Sequence, residues 1–428
     1  MIVDCHGHYT TAPGELAAWR KAQIAGGVTD LRITDDQIRE SLEGAQLKLQ
    51  RERGTDVTGA RTIICTLKAA ASTATPTRLM PHESFARFAR KEEKMTGSRR
   101  FAFAALALLA AALPPGMPAA QELKLAHFMA PTHPYHPRVF APFTDEVEKA
   151  TGGKLKVRIF PGGELGANPA EQFNRAVDGV ADISFVLPGY TAAQFPRILL
   201  MEYPGVAKSP EGAARGLWNA RELLEEEFRR VKLLSMWTIT PGAIYTRERP
   251  VRSLADLKGM KLRVASSVGG DLVKAWGATP VFTPVTEVYN ALQTGVIDGV
   301  LIDGGAALAF KLIEVSKYVT VGMQSVLTTF ALVMNRDVWN RLPADQKAAV
   351  EKATGLAMGE RAFSVWNEVS AKGIEAIAAA PGKELIRLAP PEAARFDAIS
   401  KTVTENAVKA LEAKGVPARK IVSAMAVN

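Results

Sequence analysis

Arg263 is the residue whose neighbours best equip it to hold a small molecule. It lies in a short apolar run, Met260–Ala265, and is followed by Ser266, Ser267 and the pair Gly269-Gly270 at the start of a helical pattern. A guanidinium presents a planar fork that matches a carboxylate with two parallel charge-assisted hydrogen bonds. The hydroxyls and free backbone N–H groups of a helix start add further donors. The group suits an organic anion. The competing reading of an arginine in a strand is a surface or structural salt bridge. A second constellation stands at the amino terminus, where His6 and His8 lie two apart in the strand-like stretch Met1–Tyr9 and so share a face. That spacing can take a metal ion and also occurs without one.

The elements around Arg263 form a β-α-β-α-β run. Ser253 with Asp256 is a capping-box-like start, and Gly259 closes that turn before the strand Met260–Ala265. A helix from about Gly270 to Gly277 follows, then a strand Ala278–Phe282, a helix Thr286–Thr294 stopped by Gly295, and a strand Val296–Ile302. Strands so connected lie parallel, and ligands bind beyond their carboxyl ends. Upstream, Gly179-Val-Ala-Asp182 between a helix (Pro169–Asp178) and a strand (Ala181–Leu187) echoes Gly295-Val-Ile-Asp298, which predicts two units of similar build. Tyr190 follows that earlier strand and either stacks on a ligand or packs. A charged helix over Glu211–Arg230 precedes the strand Val231–Ile239, which carries Trp237 and leads toward Arg247. Leu327–Asn335 reads as a further strand. From Leu342-Pro343 a helical pattern runs to about Ala380, some ~50 Å if continuous.

The spacing Asp256-Leu-Lys-Gly-Met-Lys-Leu-Arg263-Val, then Gly277-Ala-Thr-Pro280, then Glu287-Val-Tyr-Asn-Ala-Leu-Gln-Thr-Gly-Val-Ile-Asp298-Gly299, resembles the extracytoplasmic binding proteins of TRAP transporters, the DctP family. The resemblance runs from about Glu122 to the carboxyl terminus. It implies an α/β, two-lobed periplasmic-binding-protein-like fold with a long hinge-spanning helix. One lobe is expected over 121–240 with 328–367, the other over 241–327 with 368–428. It also implies that Arg263 grips a substrate carboxylate and that the loop carrying His133 borders the ligand. Proteins of this family that bind sialic acid and related acids place a second arginine where this chain has Ala243 or Ile244. They often carry an asparagine where Ile302 and Asp303 stand here. The expected binding set is Arg263, Tyr190, Trp237, Ser266, Asp303, His133 and Phe330, with the aromatic members pointing to aromatic or keto acids and C4-dicarboxylates as the alternative. The implied partners are the small organic acid and TRAP membrane permease subunits. The protein is expected to act as a monomer without catalytic residues, metal or cofactor.

Residues 1–94 do not join this pattern. The opening MIVDCHGHYTTAPGELAAWRKAQIA resembles the start of amidohydrolase-type enzymes such as 4-oxalomesaconate hydratase, and the likeness stops near Thr58. Such enzymes use a barrel of about 250 residues with ligands from several strand ends, so a strand and a helix alone leave the active site incomplete. Arg90-Lys-Glu-Glu-Lys-Met95 would be encoded by a purine-rich run before an ATG, which is expected if translation starts at Met95. Arg99-Arg100, the apolar run Phe101–Leu113 and the small residues to Ala120 have the order of a signal peptide over 95–120, too short for a span. Both cysteines, Cys5 and Cys65, precede it, which suits export without a disulfide framework. The net charge of +9 is spread over the chain with no basic stripe interleaved with aromatics, which argues against nucleic acid as a partner. Two alternatives to a transport role are a metal-dependent hydratase built on the first sixty residues and a ligand sensor of the same fold.

Overall fold

The computed structural model describes residues 121–426; His6, His8, the hydratase-like stretch and the apolar run Phe101–Leu113 lie outside them. Two mixed sheets organise the described chain. The first has the order β2 (Leu155–Phe160), β1 (Gln121–Ala126), β3 (Ile183–Val186), β10 (Thr329–Asn335), β4 (Val231–Thr238). The second has the order β11 (Glu384–Arg387), β9 (Tyr318–Val321), β5 (Ala243–Thr246), β8 (Gly299–Ile302), β6 (Lys261–Val264), β7 (Thr279–Phe282).

Within these orders the same four-strand pattern occurs twice. In the first sheet β2, β1 and β3 are parallel and meet antiparallel β10; in the second β7, β6 and β8 are parallel and meet antiparallel β5. The repeated Gly-Val-x-Asp sequence supplies the same joint in each. Gly179 and Gly295 turn the chain at φ +72° and +75°, a conformation favourable to glycine. The Asp182 carboxylate then accepts the Lys124 N–H at 2.7 Å, while its own N–H donates to Lys124 O at 3.0 Å and its carbonyl accepts from Asn335 N at 2.8 Å. Asp298 repeats all three bonds, with Lys261 N at 2.7 Å, Lys261 O at 2.9 Å and Arg247 N at 3.0 Å. The expectation of two similar units is met bond for bond.

Local signals in the second lobe are also realised. Ser253 and Asp256 form a reciprocal capping box, and Ser266 caps the helix Ser267–Ala275, which starts a few residues earlier than its glycines suggested. Strands β3, β8 and β10 are buried along their whole length, as strands covered on both faces must be.

Two helical expectations are corrected. The pattern beginning at Leu342-Pro343 is not one rod, because Ala344–Ala353 ends at Thr354, whose hydroxyl donates to Val350 O at 2.8 Å. Gly355 follows at φ +66° and restarts the chain as Gly355–Ala379, 25 residues and about 37 Å long. The stretch Glu211–Arg230 is likewise broken into Ala213–Asn219, Arg221–Leu224 and Glu225–Phe228. Gly355–Ala379 nevertheless joins the lobes, packing on β4 in one and on β11 and the helix Gly304–Ala309 in the other. Beside it the chain crosses between sheets in two extended segments tied by Ile239 N to Thr328 O and Gly242 N to Val326 O, both 3.1 Å. No described helix is long and apolar enough to cross a membrane.

Candidate functional site

The carboxyl ends of β3, β6 and β8 face a chamber of about 50 Å³ between the lobes. Its wall is aromatic, with Phe128, Tyr135, Phe185, Phe310, Phe330 and Trp366 among the lining residues. Phe185 and Phe330 stack at 5.0 Å between ring centroids, and His133 stacks on Trp366 at 4.8 Å. Arg263 and Asp303 are the only Asp, Glu, Lys or Arg side chains in the lining.

Arg263 is 1 % exposed although it carries a charge. Its Nε donates to Thr283 O at 2.7 Å and its Nη2 to Tyr190 Oη at 3.4 Å. No carboxylate among the described residues lies within ion-pair distance of it. Burial lowers the Arg263 pKa, and Tyr190 and the more distant Glu287 partly offset that; a guanidinium has so high a pKa that it stays charged regardless. A buried cation without a counter-ion is costly, and an anion in the chamber would relieve that cost. Arg263 is therefore not the surface salt-bridge arginine of the alternative reading.

Tyr190, in the short helical turn Pro188–Gln194 after β3, is a contact between lobes. Its hydroxyl accepts the Val285 N–H at 2.9 Å from the helix Val285–Thr294 of the opposite lobe, and the same oxygen meets Arg263. Two neighbouring bonds also cross: Ser266 Oγ donates to Glu202 Oε2 at 2.6 Å and Tyr203 Oη to Asp271 Oδ2 at 3.1 Å. Glu202 is wholly buried and also accepts Thr329 N and Thr329 Oγ1 at 2.8 and 2.9 Å. Burial pushes its pKa up, and these donors pull it partly back.

At the other end Asp303 ends β8 and caps the helix Gly304–Ala309. Its Oδ1 accepts Ala306 N at 2.9 Å and Trp366 Nε1 at 2.7 Å. The second contact requires the long helix to come very close, and glycine permits it: a Cβ on Gly373 would fall 2.0 Å from Gly304 O. His133 accepts the Tyr135 N–H at 3.3 Å, and burial, then the charge of nearby His127, lowers its pKa to about 3. The ring is therefore neutral at ordinary pH.

Of the residues singled out in the sequence, Arg263, Tyr190, Asp303, His133 and Phe330 line the chamber. Trp237 and Ser266 do not. Trp237 is fully buried one layer behind, its indole N–H on Tyr135 Oη at 3.1 Å and its ring stacked on Phe185. The Ser266 hydroxyl is committed to Glu202. Sequence reasoning missed Trp366, Phe310, Phe185 and Glu202; only Glu202 carried a signal, as an acid inside the apolar run Ile198–Tyr203. A larger open groove of about 700 Å³ is lined by first-lobe residues, but its Lys232 is already paired with Glu351 at 2.9 Å and its walls mix both signs of charge.

The profile described as "Bacterial extracellular solute-binding protein, family 7" (DctP) matches residues 125–410. A solute-binding protein of Albidiferax ferrireducens is 30 % identical over 219 residues, which are 50 % of this chain and 64 % of that one, so the match spans somewhat less than two thirds of that relative. The C4-dicarboxylate-binding periplasmic protein DctP of Rhodobacter capsulatus is 26 % identical over 334 residues, 76 % of this chain and 99 % of that one. Among solved structures, a TRAP solute binding protein from Rhodoferax ferrireducens in complex with copurified benzoate superposes with a TM-score of 0.68 at 28 % identity, covering 71 % of this chain and 96 % of that one. A marine metagenome TRAP solute binding protein specific for aromatic acid ligands, with 3-hydroxybenzoate, also gives 0.68 at 28 % identity, covering 72 % and 97 %.

Proposed function

This chain belongs to the bacterial extracellular solute-binding proteins of family 7, and from that premise we propose that it captures a small aromatic monocarboxylate between its lobes in the periplasm and delivers it to TRAP membrane permease subunits. The observation that carries the reading is a single buried guanidinium, without a carboxylate partner among the described residues, in a chamber walled by aromatic rings. Arg263 takes the carboxylate. Phe128, Phe185, Phe330 and Trp366 enclose the ring, and Tyr190 closes the lobes over it.

A C4-dicarboxylate fits this arrangement less well. Its second carboxylate would meet rings and Asp303, and the crossing strand offers Ala243 and Ile244 rather than a second arginine. Burying a second charge without a partner costs several kcal/mol. The export signal over 95–120 belongs to the same reading, as does the absence of a catalytic role.

A thermal-shift screen tests it, with benzoates, mandelate, α-keto acids, succinate, malate and uronates as probes. A ligand present at a hundred times its Kd stabilises by about 2.7 kcal/mol, which such a screen detects. Aromatic monocarboxylates should raise the melting temperature and succinate should not. A shift with malate or succinate and none with any aromatic acid would overturn the proposal.

A further inference from the structure

The oxygens of Asp303 are unequally used. Oδ1 receives three donors: Ala306 N at 2.9 Å, Trp366 Nε1 at 2.7 Å and Ser370 Oγ at 3.3 Å. The Ser370 hydroxyl itself accepts Gly305 N at 3.1 Å and lies 2.8 Å from Thr240 Oγ1, which leaves its proton for Asp303. Oδ2 has no hydrogen-bond partner, and the residue is 2 % exposed. A second buried oxygen without a partner, Tyr245 Oη, belongs to the neighbouring strand β5 and feels the Asp303 charge. The carboxyl is thus fixed by one oxygen, and the other has no partner among the described residues although Asp303 lines the chamber.

Its position relative to Arg263 is also set by the sheet. Arg263 pairs with Val300 across β6 and β8, and Asp303 lies three residues further along the chain. At a strand's rise of about 3.3 Å per residue the two backbone positions stand roughly 10 Å apart along the strand direction.

Resting on the reading of Arg263 as the carboxylate anchor, we propose that Asp303 determines specificity at the opposite pole of the chamber, selecting aromatic acids that carry a hydroxyl over the same acids without one. A hydroxyl both donates and accepts, so it satisfies Oδ2 whether the carboxyl is ionised or protonated. A bare ring edge leaves Oδ2 buried and unpaired. An ether can only accept, and a second carboxylate meets like charge. Sites built around a hydroxyl reject the analogue lacking it far more strongly than apolar pockets reject a missing methylene.

The test is titration calorimetry of the full chain with benzoate, 3-hydroxybenzoate, 4-hydroxybenzoate and the corresponding methoxybenzoates. At least one hydroxybenzoate should bind about tenfold or more tighter than benzoate, and its methoxy counterpart no tighter than benzoate. Asp303→Asn keeps an acceptor for the three donors on Oδ1, which also fixes the amide orientation, but turns an NH₂ group toward the ligand. In that variant, with a melting curve to establish folding, the methoxybenzoate should gain about tenfold on benzoate, because an ether oxygen accepts from the amide NH₂ but cannot satisfy a carboxylate oxygen. Binding of benzoate and both hydroxybenzoates within threefold of one another by the wild type would overturn the role of Asp303 while leaving Arg263 as anchor intact. So would an Asn variant that binds the methoxybenzoate no tighter than benzoate. Failure of all these acids to bind would overturn both readings, as would Arg263→Ala binding benzoate like wild type, since the proposal for Asp303 rests on that anchor.

Discussion

Replacing Arg263 is the perturbation with the most to say about this site. The guanidinium is 1 % exposed and holds Thr283 O and Tyr190 Oη without a carboxylate partner among the described residues. On the proposed reading a ligand carboxylate would complete a buried ion pair with it. Removing one partner of a buried pair costs about 3–5 kcal/mol, which at 1.4 kcal/mol per decade is roughly a 10² to 10³·⁶ increase in Kd. Arg263→Lys should fall nearly as far, because an ammonium cannot make two parallel bonds and reach Thr283 as well. The unliganded fold should tolerate the alanine, since the variant loses a buried charge that lacked a counter-ion. Calorimetry with the best acid from the screen reads the loss, and a denaturation curve of the unliganded variant reads the fold. Binding by Arg263→Ala within threefold of wild type, with the fold intact, would refute the reasoning outright.

Tyr190→Phe removes the oxygen shared by Val285 N and Arg263 across the lobes; affinity should drop by about 1–3 kcal/mol, mainly through faster release in stopped-flow measurements. Gly373→Ala forces a methyl against Gly304 O, where a Cβ would fall 2.0 Å away; the expected cost is about 1–3 kcal/mol of stability, seen as a lower melting temperature, together with weaker binding because Trp366 is pushed off Asp303. For His133 the folded pKa, about 3, lies below the ordinary 6.5. The unfolded chain thus binds the extra proton between those values, and the His133 contribution is complete above pH 6.5 and lost as pH falls toward 3. The raised carboxyls Glu202, Glu227 and Asp303 act in the opposite sense, so the comparison must be with a variant. Denaturant melts of His133→Phe should depend on pH less steeply than wild type between pH 6 and 4 by about 1.4 kcal/mol per unit, and parallel curves would contradict the assignment.

What the sequence disclosed here was what local chemistry decides. The capping box at Ser253, the left-handed stop at Gly295 and the twin Gly-Val-x-Asp joints involve groups close in the chain, so residue type and spacing suffice to place them. Arg263 at a strand end was visible for the same reason. Trp366 could not be assigned to the site, because its approach to Asp303 depends on a close contact between helices far apart in sequence. Trp237 was placed one layer too far forward: strand alternation says which face a side chain takes, not whether another ring stands before it. Thr354 and Gly355 broke a helix whose pattern reads straight through them, since a single glycine in an amphipathic stretch is a weak stop until its φ is known.

The paired aspartates at the strand entries, Asp182 and Asp298, sit at the opposite edge of each sheet from the chamber. Each ties three strands together through main-chain groups and one carboxylate, so strand register is held without help from residues that line the chamber. The far ends of the same strands, where Tyr190, Arg263 and Asp303 line the chamber, are then free to change without letting the sheets slip. The frame is fastened at one end of each sheet, and the chamber wall is built at the other.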